Sequence, residues 1–95
     1  MRVATFNVES LDEPVEQRIA VLRPAIERLD ADILCLQEVN GQHVRGQPGR
    51  KLLALDHLLA GTRYAPFHRA ASTLLGSAFP ADVHNLVTLS RWPIT

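Results

Sequence analysis

Hydrophobic and polar positions along this chain change period several times, and each change marks an element. From Arg2 to Val8, β-branched and aromatic residues alternate with smaller ones (Val3-Ala4-Thr5-Phe6-Asn7-Val8), which predicts a short strand. The period then lengthens. Val15, Ile19, Leu22, Ile26 and Leu29 form one apolar stripe at helical spacing. Asp12 or Glu13 just before Pro14 supplies the helix start, with acid near the positive end of the dipole. Pro24 falls inside the stripe, where it removes a backbone donor and crowds the preceding turn. A kink or break is therefore expected near Arg23, or a second short helix from Pro24.

After the polar turn Asp30-Ala31-Asp32, the run Ile33 to Val39 is apolar on both faces, the pattern of an interior strand covered on both sides. Strand, helix and strand within forty residues form a βαβ-like unit, with both strands in one sheet and the helix packed across it. Gly41 to Arg50 holds three Gly, one Pro and two Gln and predicts a flexible loop. Leu52, Leu53, Leu55, Leu58 and Leu59 make a second helical stripe, closed by Gly61 at a C-cap position. Tyr64 to His68 is a third strand candidate, Ala70 to Asp82 a weakly patterned loop, and His84 to Ser90 a fourth strand ended by Pro93. The class is α/β.

Ninety-five residues are enough for one domain. Hydrophobic residues at 46% and charged residues at 21% exclude a disordered chain. Ten basic residues balance ten acidic ones, so there is no polybasic footprint for nucleic acid or anionic lipid. This excludes a strong non-specific grip on DNA, not a nucleic-acid substrate. The single cysteine, Cys35, rules out an intramolecular disulfide and reads as a buried small hydrophobe. No long apolar core follows Arg2, and the longest uncharged stretch, Ala70 to Ala81, falls short of the roughly 20 residues a membrane span needs. A soluble, cytoplasmic protein without a membrane span is expected.

The first strand ends in Phe6-Asn7-Val8-Glu9 and the second in Leu36-Gln37-Glu38-Val39. Open α/β sheets bind ligands beyond the carboxyl ends of their strands. A carboxylate straight after Leu-Cys-Leu loses solvation unless a cation or a set of donors compensates it. Carboxylate oxygens suit Mg²⁺, which one or two protein carboxylates hold together with water and substrate phosphate. Read alone, Glu38 is first a strand-end acid facing water, and Asn7 a turn residue or a satisfied core amide.

Three segments taken together are more specific: Thr5-Phe6-Asn7-Val8, Asp32-Ile33-Leu34-Cys35-Leu36-Gln37-Glu38-Val39, and Asn85-Leu86-Val87-Thr88-Leu89-Ser90-Arg91-Trp92-Pro93-Ile94. In order and spacing they resemble the endonuclease/exonuclease/phosphatase superfamily, the DNase I-like fold, from Arg2 to Ile94. The resemblance implies the N-terminal part of a DNase I-like two-sheet α/β sandwich, about four strands and two helices. Residues 1–95 would be the N-terminal portion of one domain, incomplete at its C-terminal end. It makes Glu38 the catalytic, metal-binding glutamate of the Leu-Gln-Glu motif, holding one divalent cation, Mg²⁺ or Mn²⁺. Asn7 becomes the asparagine that orients the metal-site carboxylate and the substrate phosphate, so it counts as both catalytic and metal-site. Glu9 falls where some members carry an aspartate near the metal; the longer acid here gives it an outer place around the ligands. Arg91 belongs to the family's Ser-Arg motif, read either as a substrate contact or as a structural ion pair.

The family's later motifs, Gly-Asp-x-Asn and Ser-Asp-His, have no counterpart among these residues. None of His43, His57, His68 and His84 follows a Ser-Asp pair, and each reads as an ordinary surface or strand histidine. The implied activity is metal-dependent hydrolysis of a phosphoester, in nucleic acid or a small phosphodiester, with this stretch inactive by itself. The alternative is a non-catalytic remnant acting as a binding or interaction module. Arg45, Arg50 and Lys51 lie just past Glu38, within reach of a phosphate-bearing substrate, or simply solvated in a loop.

Overall fold

A computed structural model describes residues 1–73, 79 and 84–95. Its elements run β1 (Val3–Leu11), α1 (Glu16–Leu29), β2 (Ile33–Asn40), β3 (Gln42–His43), β4 (Arg50–Lys51), α2 (Leu53–Leu59), β5 (His68–Ala71) and β6 (His84–Ser90). Four strands form one mixed sheet in the order β1-β2-β6-β5, and β3 and β4 form a separate two-stranded ribbon. β1 and β2 are parallel, with Val3 opposite Ile33 and Phe6 opposite Leu36. β6 runs antiparallel to both β2 and β5. The carboxyl ends of β1, β2 and β5 therefore lie at the same end of the sheet as the start of β6.

Alternation sets the faces. Val8, Leu34, Leu36, Val87 and Leu89 turn into a core completed by Leu22 and Ile26 of α1 and by Leu55, Leu58 and Leu59 of α2. Burying each such side chain is worth about 1.5–3 kcal/mol, and this shared layer holds the helices to the sheet. The opposite face is less covered than the sequence implies. Ile33, Cys35 and Gln37 are half-buried, and Val3 and Leu86 are 61% and 64% exposed. Cys35 is thus a half-buried free thiol, not a core residue, because both helices pack on the other side.

Several expectations are corrected. α1 runs unbroken through Pro24. The proline and Ala20, the residue whose carbonyl it leaves unpaired, are both exposed, so the lost bond falls on the solvent side while Leu22 and Ile26 hold the buried side. Its N-cap is Val15 with no side-chain bond, not Asp12 or Glu13. Asp12 is engaged elsewhere, accepting from Asn40 Nδ2 at 3.1 Å and Gln42 Nε2 at 3.0 Å. Those contacts hold its carboxyl below the usual aspartate range, the Gln42 bond contributing most. The 41–50 loop contains β3 and opens into β4 at Arg50.

The third strand begins at His68, not Tyr64. Tyr64 is fully buried in the preceding turns, where its hydroxyl donates to Ile26 O at 2.8 Å and accepts from Ala31 N–H at 3.0 Å. β6 matches its predicted bounds, and Gly61, at φ +76°, follows the Ala60 C-cap of α2. Most of the loop expected over 70–82 lies outside the described residues, although Ala70 and Ala71 belong to β5. Among the described residues no helix is long and apolar enough to cross a membrane.

Candidate metal centre at the carboxyl end of the parallel strands

The β1–β2 ladder is regular from Val3 to Asn7 and then slips. After Asn7↔Gln37 the next partners are Leu11↔Val39, so Val8, Glu9 and Ser10 face the single residue Glu38. On its other edge β2 slips again, since Leu36↔Val87 is followed by Val39↔Asn85. β1 thus bulges opposite Glu38, while β2 bulges at Gln37 and Glu38 opposite the single Leu86 of β6, and the backbone shows it. Glu38, Glu9 and Ser10 all have positive φ, at 60°, 51° and 54°. Such conformations cost non-glycine residues of order 1–3 kcal/mol each and persist only where their surroundings enforce them. Arg18 of α1 is one enforcer: its guanidinium donates to the carbonyls of Val8, Glu9 (2.9 Å) and Ser10 (3.4 Å), fastening the turn to the helix.

The bulge decides where the side chains go. In a regular strand Gln37 and Glu38 would point to opposite faces. Here both reach the less covered face. Gln37 Nε2 donates to Thr5 Oγ1 at 2.7 Å, and Glu38 Oε2 accepts from Asn7 Nδ2 at 2.7 Å. The other carboxylate oxygen accepts from Ser10 Oγ at 3.3 Å, and Ser10 Oγ lies 3.1 Å from His84 Nε2. These contacts hold the Glu38 carboxyl below its ordinary range. The Asn7 bond is the largest cause, with the Ser10 bond and His84 adding to it against a partly opposing burial. No arginine or lysine pairs with Glu38 among the described residues.

Asn7 and Glu38 are thus brought together. Asn7 acts as a clamp, because its Nδ2 holds Glu38 while its Oδ1 accepts from Glu9 N–H at 2.8 Å. That orientation favours holding the carboxylate over offering an amide oxygen to a cation. Glu9 contributes its backbone; its side chain lines a hollow with Gln17, Arg18 and Val21 of α1. Arg91 is not brought to the site. It stands at the opposite end of the sheet, its Nε 3.1 Å from Asp32 Oδ1, the ion-pair arrangement.

Ser10 and His84 join the site although no motif marks them. The antiparallel partnering of His84 with Asn40 carries the imidazole here, and the only sequence signal was the position of His84 at a strand start facing the end of β2.

The donor set suits a hard cation weakly. One carboxylate, oriented by an amide and a hydroxyl and uncommitted to any basic side chain, fits the one-carboxylate pattern that water and substrate phosphate complete for Mg²⁺. Among the described residues no group of three or more His, Cys, Asp or Glu forms a full protein cage. No curated protein and no solved structure matches the chain. The Endonuclease/Exonuclease/phosphatase family model matches residues 4–95, and the sheet and helices above form part of its DNase I-like architecture. This chain belongs to the endonuclease/exonuclease/phosphatase family, a family of phosphoester hydrolases that generally use divalent cations.

Proposed function

We propose that residues 1–95 supply the cation-holding part of a metal-dependent phosphoester hydrolase. Glu38 binds Mg²⁺ or Mn²⁺, Asn7 and Ser10 aim its carboxylate, and the substrate is a phosphodiester in nucleic acid or a small molecule. The observation that carries this reading is the 2.7 Å bond from Asn7 to Glu38, which joins two separated motif residues across a doubly bulged backbone. A bound cation would polarise a phosphoryl oxygen and offset charge developing in an in-line displacement by water. The chain's own residues keep the carboxylate ionised and fixed in direction. Glu9, through its backbone, steadies Asn7.

The Gly-Asp-x-Asn and Ser-Asp-His motifs are not among these residues, so the chain alone should bind the cation without appreciable turnover. In this reading residues 1–95 are one portion of a single larger domain. The test is a Mn²⁺ titration followed by electron paramagnetic resonance, together with hydrolysis of bis-p-nitrophenyl phosphate. Binding that Glu38→Gln weakens supports the proposal. Equal Mn²⁺ binding by wild type and Glu38→Gln overturns it and leaves the non-catalytic binding module. Turnover by the chain alone that Glu38→Ala abolishes would overturn the assignment of the remaining machinery elsewhere.

A further inference from the structure

At the same end of the sheet as Glu38, on the β5 edge, a groove of about 550 Å³ opens between β5 and the β3–β4 ribbon. Arg50, Lys51, Arg69, Ala71, Thr73 and Phe79 line it, with no carboxylate among the described lining residues. Three cations share one concavity in a chain whose formal charge is zero, so charge is segregated here despite the balanced total. Arg50 is held by a carbonyl, Arg69 by an ion pair, and Lys51 stands against an aromatic ring. Arg50 donates through Nη1 to Gly41 O at 2.9 Å, and Arg69 Nη1 lies 2.7 Å from Asp56 Oδ1. Lys51 Nζ sits 5.9 Å from the centre of the Phe79 ring and has no carboxylate partner among the described residues. Phe79 in turn lies against Gly49, where a Cβ would come within 2.3 Å of its ring, so the glycine leaves the space the aromatic occupies.

The register gives the lateral separation of the two sites along this end of the sheet. Arg69 and Ala71 lie on the helix-bearing face and the Glu38 side chain on the other, so a strand joining them passes over the end of the sheet. Leu36 of β2 faces Val87 of β6, which faces Ala71 of β5. Two strand spacings amount to about 10 Å. That lateral step alone takes up roughly three phosphates of a stacked strand at 3.4 Å each. Cationic grooves with an aromatic wall are how proteins follow a single strand.

We propose that this groove binds backbone phosphates of a nucleic-acid strand whose reacting phosphodiester lies at Glu38. This rests on the proposed function and narrows its substrate from phosphoesters in general to a strand with flanking phosphates. The test is fluorescence anisotropy of a fluorescein-labelled ten-residue oligothymidylate in EDTA, which removes turnover and metal from the readout. Lys51→Ala should weaken binding about 3- to 10-fold and lower the slope of log K against log salt by about 0.7, the value for one single-strand phosphate contact. Lys51→Arg should restore binding. Arg69→Ala should weaken it similarly, with circular dichroism reporting whether loss of the Asp56 pair disturbs the fold. Arg45→Ala removes an exposed cation outside the groove and should change affinity less than twofold.

Wild-type affinity in Lys51→Ala, or an equal loss in Arg45→Ala, overturns the proposal. So does displacement of the oligonucleotide by an equal concentration of inositol hexakisphosphate, which would make the groove a site for compact polyphosphates. The two readings fail separately. Mn²⁺ binding unaffected by Glu38→Gln rejects the cation site whatever the groove binds, while a Lys51-independent oligonucleotide affinity rejects the groove alone.

Discussion

The two ends of the four-stranded sheet use the same strands and treat their carboxylates in opposite ways. At the start of β2, Asp32 is paired with Arg91 and accepts from Arg2 N–H at 2.8 Å, and its own carbonyl accepts from Arg91 N–H at 2.9 Å. Nearby, Asp30 pairs with Arg2 and Arg63, and Glu27 with Arg63. Acids there meet guanidinium groups, and the ladder leading away is regular. At the far end Glu38 meets an amide and a hydroxyl, and the ladder breaks on both of its edges. Arg18 reaches that end but attaches to carbonyls, leaving Glu38 its charge. A neutralised carboxylate closes a sheet; one aimed by neutral donors remains available to a ligand. In the proposed reading the contrast separates stability from cation binding, and substitutions at the two ends should separate them as well.

The largest effect is expected from Glu38→Gln. It removes the one carboxylate that the described residues offer a cation there, so Mn²⁺ affinity should fall on the order of 100-fold or more. The melting temperature should stay close to wild type, since glutamine can still meet Asn7 and Ser10. A large drop in melting temperature at unchanged Mn²⁺ affinity would reverse the comparison. Next is Asn7→Ala, which frees the carboxylate to rotate. Groups that orient a metal ligand are worth about 10–100-fold in metal affinity, and a value near the lower bound is expected by the same titration.

At the other end, Asp32→Asn should act on the fold alone. It breaks a charged contact to Arg91 and weakens another to Arg2 N–H, with the aspartate side chain only 21% exposed. A loss of about 1–2 kcal/mol is expected after allowing for solvent screening. In a chain of this size that is about 4–8 °C of melting temperature per kcal/mol, with Mn²⁺ affinity unchanged. Arg91→Ala should cost less, under about 1 kcal/mol, because its side chain is half exposed and its backbone N–H keeps the Asp32 carbonyl. If Arg91→Ala instead impaired oligonucleotide or Mn²⁺ binding, Arg91 would belong to the site after all.

What was legible in the sequence follows the same division. Elements dictated by periodicity were readable: α1 from its stripe, and β6 to the residue. The meeting of Asn7 with Glu38 was readable because their segments carry recognisable motifs. Tyr64 misled because an aromatic before a short apolar stretch mimics a strand, whereas its hydroxyl is committed to Ile26 and Ala31 across the chain. Ser10 and His84 were not legible, because their place depends on a bulge. A register slip is a property of two strands and has no signature in either one. The groove was half legible. Arg50 and Lys51 stood out beside Glu38, but Arg69 joins them only through the β5–β6 pairing.

The smallest and most discriminating readout is the acid limb of stability. Asp12, Glu27 and Glu38 all have carboxyls held below their ordinary range by bonds made in the folded chain: Gln42 foremost for Asp12, the Arg63 backbone N–H for Glu27, and Asn7 for Glu38. A carboxyl with a depressed folded pKa binds fewer protons than its unfolded counterpart, so stability rises with pH through that window. Its contribution is complete above the unfolded pKa, around pH 4–4.5, and disappears as pH falls through the folded one. The chain should therefore be evenly stable from about pH 5 upward with respect to these groups and lose stability below about pH 4.5. Glu38→Gln removes one of the three. Its urea midpoint should fall less steeply with acid than that of wild type, by at most one proton's worth of slope. Asn7→Ala should soften the same limb, because it removes the main cause of the Glu38 depression. If wild type, Glu38→Gln and Asn7→Ala gave superimposable acid limbs, the Asn7–Glu38 bond would not persist in solution, and the contrast between the two ends of the sheet would lose its basis.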